Sequence, residues 1–108
     1  MALTTSSSNE GGIATITLAG ELDGSSAPAF REEVDKAFAP GTTRLVLQLK
    51  DLEYIASAGL RVLVYAKQKL GSNVEIYVVA PQAQILDTLQ KTGVDRSVNV
   101  VDKYDDKA

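Results

Sequence analysis

Residues 44–79, RLVLQLKDLEYIASAGLRVLVYAKQKLGSNVEIYVV, decide the fold of this chain. Leucine alternates with other residues over positions 44–49, which predicts a strand with one side deeply buried. After a short connection, apolar residues recur at helical spacing over positions 60–70 and predict the most buried helix of the protein, closed by Gly71. Residues 74–79 are rich in β-branched side chains, which is typical of a strand covered on both faces. The apolar positions of the helix are Leu60, Val62, Leu63, Val64, Ala66 and Leu70.

The sequence before this unit predicts a hairpin and a helix. Residues 3–8 and 13–18 favour strands, and the two glycines between them supply a tight turn. Alternation in the second strand places Ala14, Ile16 and Leu18 on one face. Helical spacing then predicts a helix over residues 27–39.

The sequence after residue 79 predicts one more helix and one more strand. Residues 81–93 show helical spacing, with Pro81 in the first turn and Gly93 at the end. Residues 97–101 favour a short last strand. The resulting order, β-β-α-β-α-β-α-β, predicts an α/β fold with a mixed, mostly parallel sheet and an antiparallel first hairpin. In such sheets, binding sites form where strands hand over to helices.

The composition argues against several classes of function. The chain has 108 residues, which we interpret as a single domain over residues 1–108. It contains no cysteine and no histidine, so it lacks thiol chemistry, the usual general base and the commonest metal ligand. A net charge of −3 argues against nucleic acid as a partner. No apolar run reaches the roughly 20 residues needed for membrane insertion, and the N-terminus lacks a secretory signal, so we expect a cytoplasmic protein.

Two of the strand-to-helix handovers, residues 20–26 and residues 51–60, contain candidate functional side chains. In the second, Ser57 lies among small residues that leave backbone N–H groups open to an anion at the helix start. The simpler interpretation is that Ser57 is the helix N-cap and that its neighbours let the helix pack close to the sheet. Asp23, in the first handover, has a similar alternative as a cap or turn residue. The neighbours of Ser57 are Ala56, Ala58 and Gly59.

A serine hydrolase is the enzymatic alternative, because residues 55–59 partly match the G-x-S-x-G nucleophile elbow. Ile55 replaces the first glycine, and the sequence offers neither a histidine nor a Ser-x-x-Lys pattern to take the proton of Ser57. We therefore expect no enzyme activity. The sequence also shows no metal-ligand cluster and no glycine-rich phosphate loop, so we expect no cofactor.

Two motifs together resemble the STAS domain, and more narrowly the stand-alone anti-sigma factor antagonists of bacteria. The first is Gly-Glu-Leu-Asp at residues 20–23, after the second strand. The second is Asp-Leu at residues 51–52 with Tyr-Ile-Ala-Ser-Ala-Gly-Leu at residues 54–60, after the third strand. The resemblance covers residues 3–101, and the order of strands and helices agrees. Family members often carry Asp or Ser before the acceptor serine and Ser after it, whereas both neighbours here are alanine.

The resemblance implies a switch controlled by phosphorylation. In the family, the unphosphorylated antagonist binds an anti-sigma factor that is also a serine kinase, and thereby frees the sigma factor. The kinase phosphorylates a serine at the start of the second helix, which is Ser57 here, and a serine phosphatase restores it. The resemblance also places Asp23 on one partner-binding surface with Ala56, Ser57, Ala58 and Gly59. We expect the free protein to be a monomer.

A second interpretation keeps the STAS fold without the switch. The chain would then be a permanent subunit of a larger assembly, such as a signalling scaffold or a lipid-transport complex. Ser57 would serve there as contact surface and cap only. Weak nucleotide binding is a further open alternative, because a helix N-terminus accepts phosphate from any source.

Overall fold

The hairpin and the parallel strands form one five-stranded sheet. The computed structural model of the protein describes residues 3–37, 41–71 and 74–103. The strands run in the spatial order β1-β2-β3-β4-β5, with β1 antiparallel to β2 and the other pairs parallel. This confirms the predicted element order and the mixed α/β fold. The elements are β1 (Leu3–Glu10), β2 (Ile13–Leu22), α1 (Ala27–Ala37), β3 (Arg44–Ile55), α2 (Ser57–Leu70), β4 (Glu75–Val79), α3 (Ala83–Thr92) and β5 (Asn99–Val101).

The core lies between one face of the sheet and the three helices. Alternation in β2 buries its predicted inner face, where Ala14, Ile16 and Leu18 are at most 1% exposed. Buried side chains of all three helices join the same cluster. The prediction that α2 is the most buried helix is confirmed, since six of its residues are buried, against four in α1 and two in α3. Val64 was predicted to lie on the apolar face of α2, but its side chain is 46% exposed. Its position on the helix circumference is far from the centre of the buried face.

β2 and β3 run further than the sequence indicated. We predicted that residues 20–22 belong to the connection after the second strand, but they belong to β2, and β3 continues to Ile55. Two shifts of register between β2 and β3 accommodate the extension, and Gly20 adopts a φ of 98° beside the second. The extension buries Leu22 and Ile55, so the ends of both strands are anchored in the core.

The carboxyl-terminal third differs from the sequence prediction at three points. β4 is buried on both faces only near its end, where Val78 and Val79 are buried, whereas Glu75 is exposed. Pro81 precedes α3 rather than lying in its first turn, because Gln82 is the N-cap. A 3-10 turn over Val94–Arg96 leads into β5, which is shorter than predicted. The closing glycines of α2 and α3 are confirmed at Gly71 and Gly93, with φ of 78° and 79°.

One prediction, the end of the first helix at residues 38–39, falls on residues outside the described ranges. Within the described ranges, no helix has the length and apolar character needed to cross a bilayer. The polar segments that follow β2 and β3 lie at the same end of the sheet, because the two strands are parallel and adjacent. The candidate site is formed there.

Candidate functional site

The two handovers meet at the carboxyl ends of β2 and β3. These strands are adjacent and parallel, and their last residues, Leu22 and Ile55, are paired. Just beyond this pair, the N–H of Ala56 donates to the carbonyl of Leu22 at 2.8 Å. The chain turns at Asp23 after β2 and enters α2 at Ser57 after β3. The fold thus brings the two sequence motifs to neighbouring positions on one edge of the sheet.

Asp23 organises the turn between β2 and α1. Its Oδ1 accepts hydrogen bonds from the N–H groups of Ser25 and Ser26, both at 3.0 Å, and from the Ser25 hydroxyl at 2.7 Å. The Ser26 hydroxyl oxygen accepts from the N–H of Asp23 at 2.9 Å. It also lies 2.9 Å from the carbonyl of Glu21 and 3.1 Å from Asp23 Oδ1, either of which can accept its proton. Asp23 was interpreted as a cap or turn residue, and the turn is confirmed. Its side chain accepts from Ser25 and Ser26, which precede α1, and not from N–H groups in the first turn of the helix.

The same hydrogen bonds keep the Asp23 carboxylate charged. Donation from the Ser25 hydroxyl, and next from the Ser26 hydroxyl, holds the pKa of Asp23 below its usual value of 3.8. The side chain is therefore ionised at neutral pH. All of these bonds use Oδ1, so within the described part of the chain Oδ2 remains available to a partner.

Ser57 is the first residue of α2, and its side chain is exposed. The interpretation of Ser57 as the N-cap is wrong: the N-cap is Ala56, in an extended conformation with φ −91° and ψ 170°, and no side chain among the described residues caps the helix. Since Ser57 already has a helical backbone, its hydroxyl cannot take the capping position. No described residue hydrogen-bonds to that hydroxyl. The helix start therefore presents a free hydroxyl beside backbone N–H groups that lack intrahelical acceptors.

Gly59 has a packing role beneath this surface. It is buried, and a Cβ placed on it would lie 2.6 Å from Cγ and 2.7 Å from Cδ2 of Leu22, and 3.1 Å from Cγ1 of Ile55. Ordinary carbon contacts are about 3.5–4.0 Å. Close packing, one of the two interpretations of the small residues, therefore explains Gly59. Ala56 and Ala58 are half-buried, so Ser57 is the most exposed of the four.

A groove between α1 and α2 lies next to the surface around Ser57. It has a volume of about 350 Å³ and includes Gly24, next to Asp23, and Ala58, next to Ser57. Arg31 and Arg61 also line it. Sequence reasoning missed both arginines. The available signal was the spacing of Arg61, which follows Ser57 by one helical turn.

A polar network fixes one wall of the groove. The Tyr65 hydroxyl donates to Asp35 Oδ1 at 2.5 Å, and Lys69 Nζ donates to the same oxygen at 2.9 Å. The Arg31 guanidinium stacks on the Tyr65 ring, 4.3 Å from its centroid. The hydrogen bond from Tyr65, followed by that from Lys69, lowers the pKa of Asp35, and Asp35 in turn raises the pKa of Lys69. These contacts join α1 to α2 and hold the Tyr65 ring in place.

The described residues include no group of three or more acidic, cysteine or histidine side chains that could hold a metal ion. Tyr54 is 50% exposed and pairs with Glu21 near the ends of β3 and β2. Because Tyr54 alternates with Ile55, which packs beneath α2, its side chain lies on the opposite face of the sheet. The surface around Ser57 thus combines a carboxylate, a free hydroxyl and open backbone N–H groups. Such a mixture suits contact with another protein.

Comparisons with known proteins assign the family. Residues 6–107 match the sequence profile of the STAS domain. The anti-sigma-F factor antagonist RsfB of Mycobacterium tuberculosis is 28% identical over 95 residues, which are 88% of this chain and 78% of that protein. The crystal structure of an anti-sigma factor antagonist from Mycobacterium paratuberculosis has a TM-score of 0.86 at 28% identity, covering 97% of this chain and 90% of that one. Bacillus SpoIIAA in its phosphorylated form shares the fold, with a TM-score of 0.70 at 17% identity over 98% of this chain and 94% of that chain. The chain belongs to the STAS domain family.

Proposed function

We propose that this protein is an anti-sigma factor antagonist controlled by phosphorylation of Ser57. The unphosphorylated form binds an anti-sigma factor that is also a serine kinase, and so frees the sigma factor. Phosphorylation of Ser57 releases the partner, and a serine phosphatase restores the binding form. The chain itself acts by binding and performs no catalysis in this scheme.

The exposed hydroxyl of Ser57 at the start of α2 carries the proposal. A kinase acceptor must be accessible and free of competing hydrogen bonds, and no described residue bonds to this hydroxyl. The surface around it includes Asp23, Ala56 and Ala58, with Gly59 holding the start of α2 against Leu22. Two relatives at 28% identity bear the name of anti-sigma factor antagonist, which supports the same class of partner for this chain.

The physics of the site favours release over unfolding. A phosphate adds roughly −1.5 to −2 charges at neutral pH. At the start of a helix, negative charge is favourable by up to about 1 kcal/mol, so the free protein should tolerate it. In an interface, burying an unpaired dianion costs several kcal/mol. Each 1.4 kcal/mol changes affinity about tenfold, so the interface cost dominates and the complex dissociates.

A binding measurement with charge variants tests this function. The cognate anti-sigma factor is identified by pull-down from the host, and its affinity is measured by calorimetry for wild type, Ser57→Ala and Ser57→Asp. We expect Ser57→Asp to bind at least 100-fold more weakly, while Ser57→Ala retains most of the affinity. Ser97→Asp is the matched control, because Ser97 is exposed and precedes β5, away from the carboxyl ends of the strands.

Two results would count against the function. The switch is refuted if Ser57→Asp and Ser97→Asp bind the anti-sigma factor equally well. Recovery of scaffold or transporter subunits, with no ATP-binding kinase, would favour the permanent-subunit alternative.

A further inference from the structure

We propose that the groove between α1 and α2 binds an acidic segment of the protein partner, with Arg31 and Arg61 as its carboxylate receptors. This inference rests on the proposed function for the identity of the partner, and it adds a second contact region and its chemistry. The groove lies beside the surface around Ser57 and shares Ala58 with it. Gly24, which also lines the groove, directly follows Asp23 in the sequence.

The charges of the groove select an acidic occupant. Of the described residues that line it, two are arginines and none is acidic. Neither Arg31 nor Arg61 forms an ion pair with a described carboxylate. Both side chains are exposed. On a chain with a net charge of −3, this is a local positive site facing open solvent.

The positions of the charged groups also prepare the site for binding. Arg31 is stacked on the Tyr65 ring at 4.3 Å, so its guanidinium loses less freedom when it binds a carboxylate. Asp35 is near enough to interact electrostatically with Arg31, but no ion pair joins the two among the described residues, and Asp35 Oδ1 already accepts from Tyr65 and Lys69. A planar guanidinium can bind a carboxylate through two parallel hydrogen bonds, which a point charge cannot do.

The floor of the groove indicates a peptide chain as the ligand. Ala27 and Val62 are 6% and 7% exposed and supply an apolar base between the two arginines. The volume of about 350 Å³ is at the lower end of the range of ligand pockets, roughly 300–1,000 Å³. It suits a few side chains of a docked segment. An apolar base flanked by cations fits a segment in which apolar and acidic side chains alternate.

The first experiment tests the groove without the natural partner. The ¹⁵N-labelled full chain is titrated with a capped hexapeptide of alternating leucine and glutamate, and with the same peptide carrying glutamine for glutamate. We expect amide shifts around Arg31 and Arg61 with the glutamate peptide, reduced at least fivefold with the glutamine peptide. Equal responses to the two peptides, or shifts confined to other surfaces, overturn the proposal.

The second experiment uses the anti-sigma factor and separates this inference from the proposed function. Arg31→Gln and Arg61→Gln should each weaken binding about tenfold and reduce its dependence on salt, whereas the control Arg96→Gln, at an exposed arginine outside the groove, should stay within twofold. If the wild type binds and both groove variants match the control, the groove proposal fails while the proposed function stands. If the wild type does not bind, the proposed function fails, and the peptide titration still decides whether the groove accepts acidic segments.

Discussion

Substituting Gly59→Ala should destabilise the protein by forcing α2 away from β2. The new Cβ would lie 2.6 Å from Leu22 Cγ and 2.7 Å from its Cδ2, so something must move by roughly 1 Å to restore ordinary contact. Leu22 is fully buried, so its side chain cannot simply move into solvent. Overpacking of this kind costs about 1–3 kcal/mol, and the better helix propensity of alanine offsets about 1 kcal/mol of it. Because both contacts with Leu22 would be shorter than 3.0 Å, we expect the cost to lie in the upper part of that range, about 2–3 kcal/mol, which leaves a net loss of about 1–2 kcal/mol.

Thermal unfolding followed by circular dichroism measures this loss. A loss of that size should lower Tm by roughly 5–10 °C for a chain of this length. Gly24→Ala is the matched control, because a Cβ at Gly24 meets nothing within 4 Å and its φ is not in the left-handed region. The packing account of Gly59 is refuted if Gly59→Ala unfolds at or above the wild-type temperature. It is also refuted if both variants lose the same stability.

Three further predictions concern ionisable groups. The hydrogen bond from the Tyr65 hydroxyl is the main cause that lowers the pKa of Asp35 in the folded protein. The ionised Asp35 carboxylate therefore stabilises the fold at pH values above the pKa it has in the unfolded chain, and this stabilisation is lost as the pH falls through its lower folded pKa. Tyr65→Phe should raise the pKa of Asp35 in a carboxyl NMR titration and weaken the acid dependence of unfolding; an unchanged titration would contradict this. Asp23→Ala should lower Tm more than Asp23→Asn, since asparagine keeps an acceptor for the turn; equal losses would count against the turn geometry. Phosphorylation of Ser57 should raise Tm slightly, because negative charge is favourable at the start of a helix. Arg61 lies one helical turn after Ser57 and can contact the phosphate, so Arg61→Gln should reduce this rise in Tm. A rise of the same size in the variant would show that Arg61 does not contact the phosphate.

The fold was predictable because its determinants are local. Alternating apolar residues in the strands and helical spacing in α1, α2 and α3 follow from backbone periods that do not depend on tertiary context. The extra length of β2 and β3 was not predictable. Gly20 and the acidic residues around it are typical of a loop, and a shift of register keeps them paired only because Leu22 and Ile55 can be buried.

The candidate site was predictable in position but not in detail. Asp23 and Ser57 were identified because each follows a predicted strand, and neighbouring parallel strands bring such residues to the same edge. The assignment of the N-cap was one residue off, since the choice between Ala56 and Ser57 depends on backbone dihedrals. The groove with Arg31 depends on how α1 packs on α2, which no local pattern records.

Mapping the phosphate added by the cognate kinase tests the central proposal most directly. The protein is incubated with its anti-sigma factor and ATP, digested with trypsin and analysed by mass spectrometry. Cleavage after Lys50 and Arg61 releases a peptide of residues 51–61, in which Ser57 and Tyr54 are the only hydroxyl-bearing side chains. The proposal predicts one phosphate, on Ser57, and none in Ser57→Ala. Phosphate on any other residue, or no phosphate while the two proteins bind each other, would contradict it.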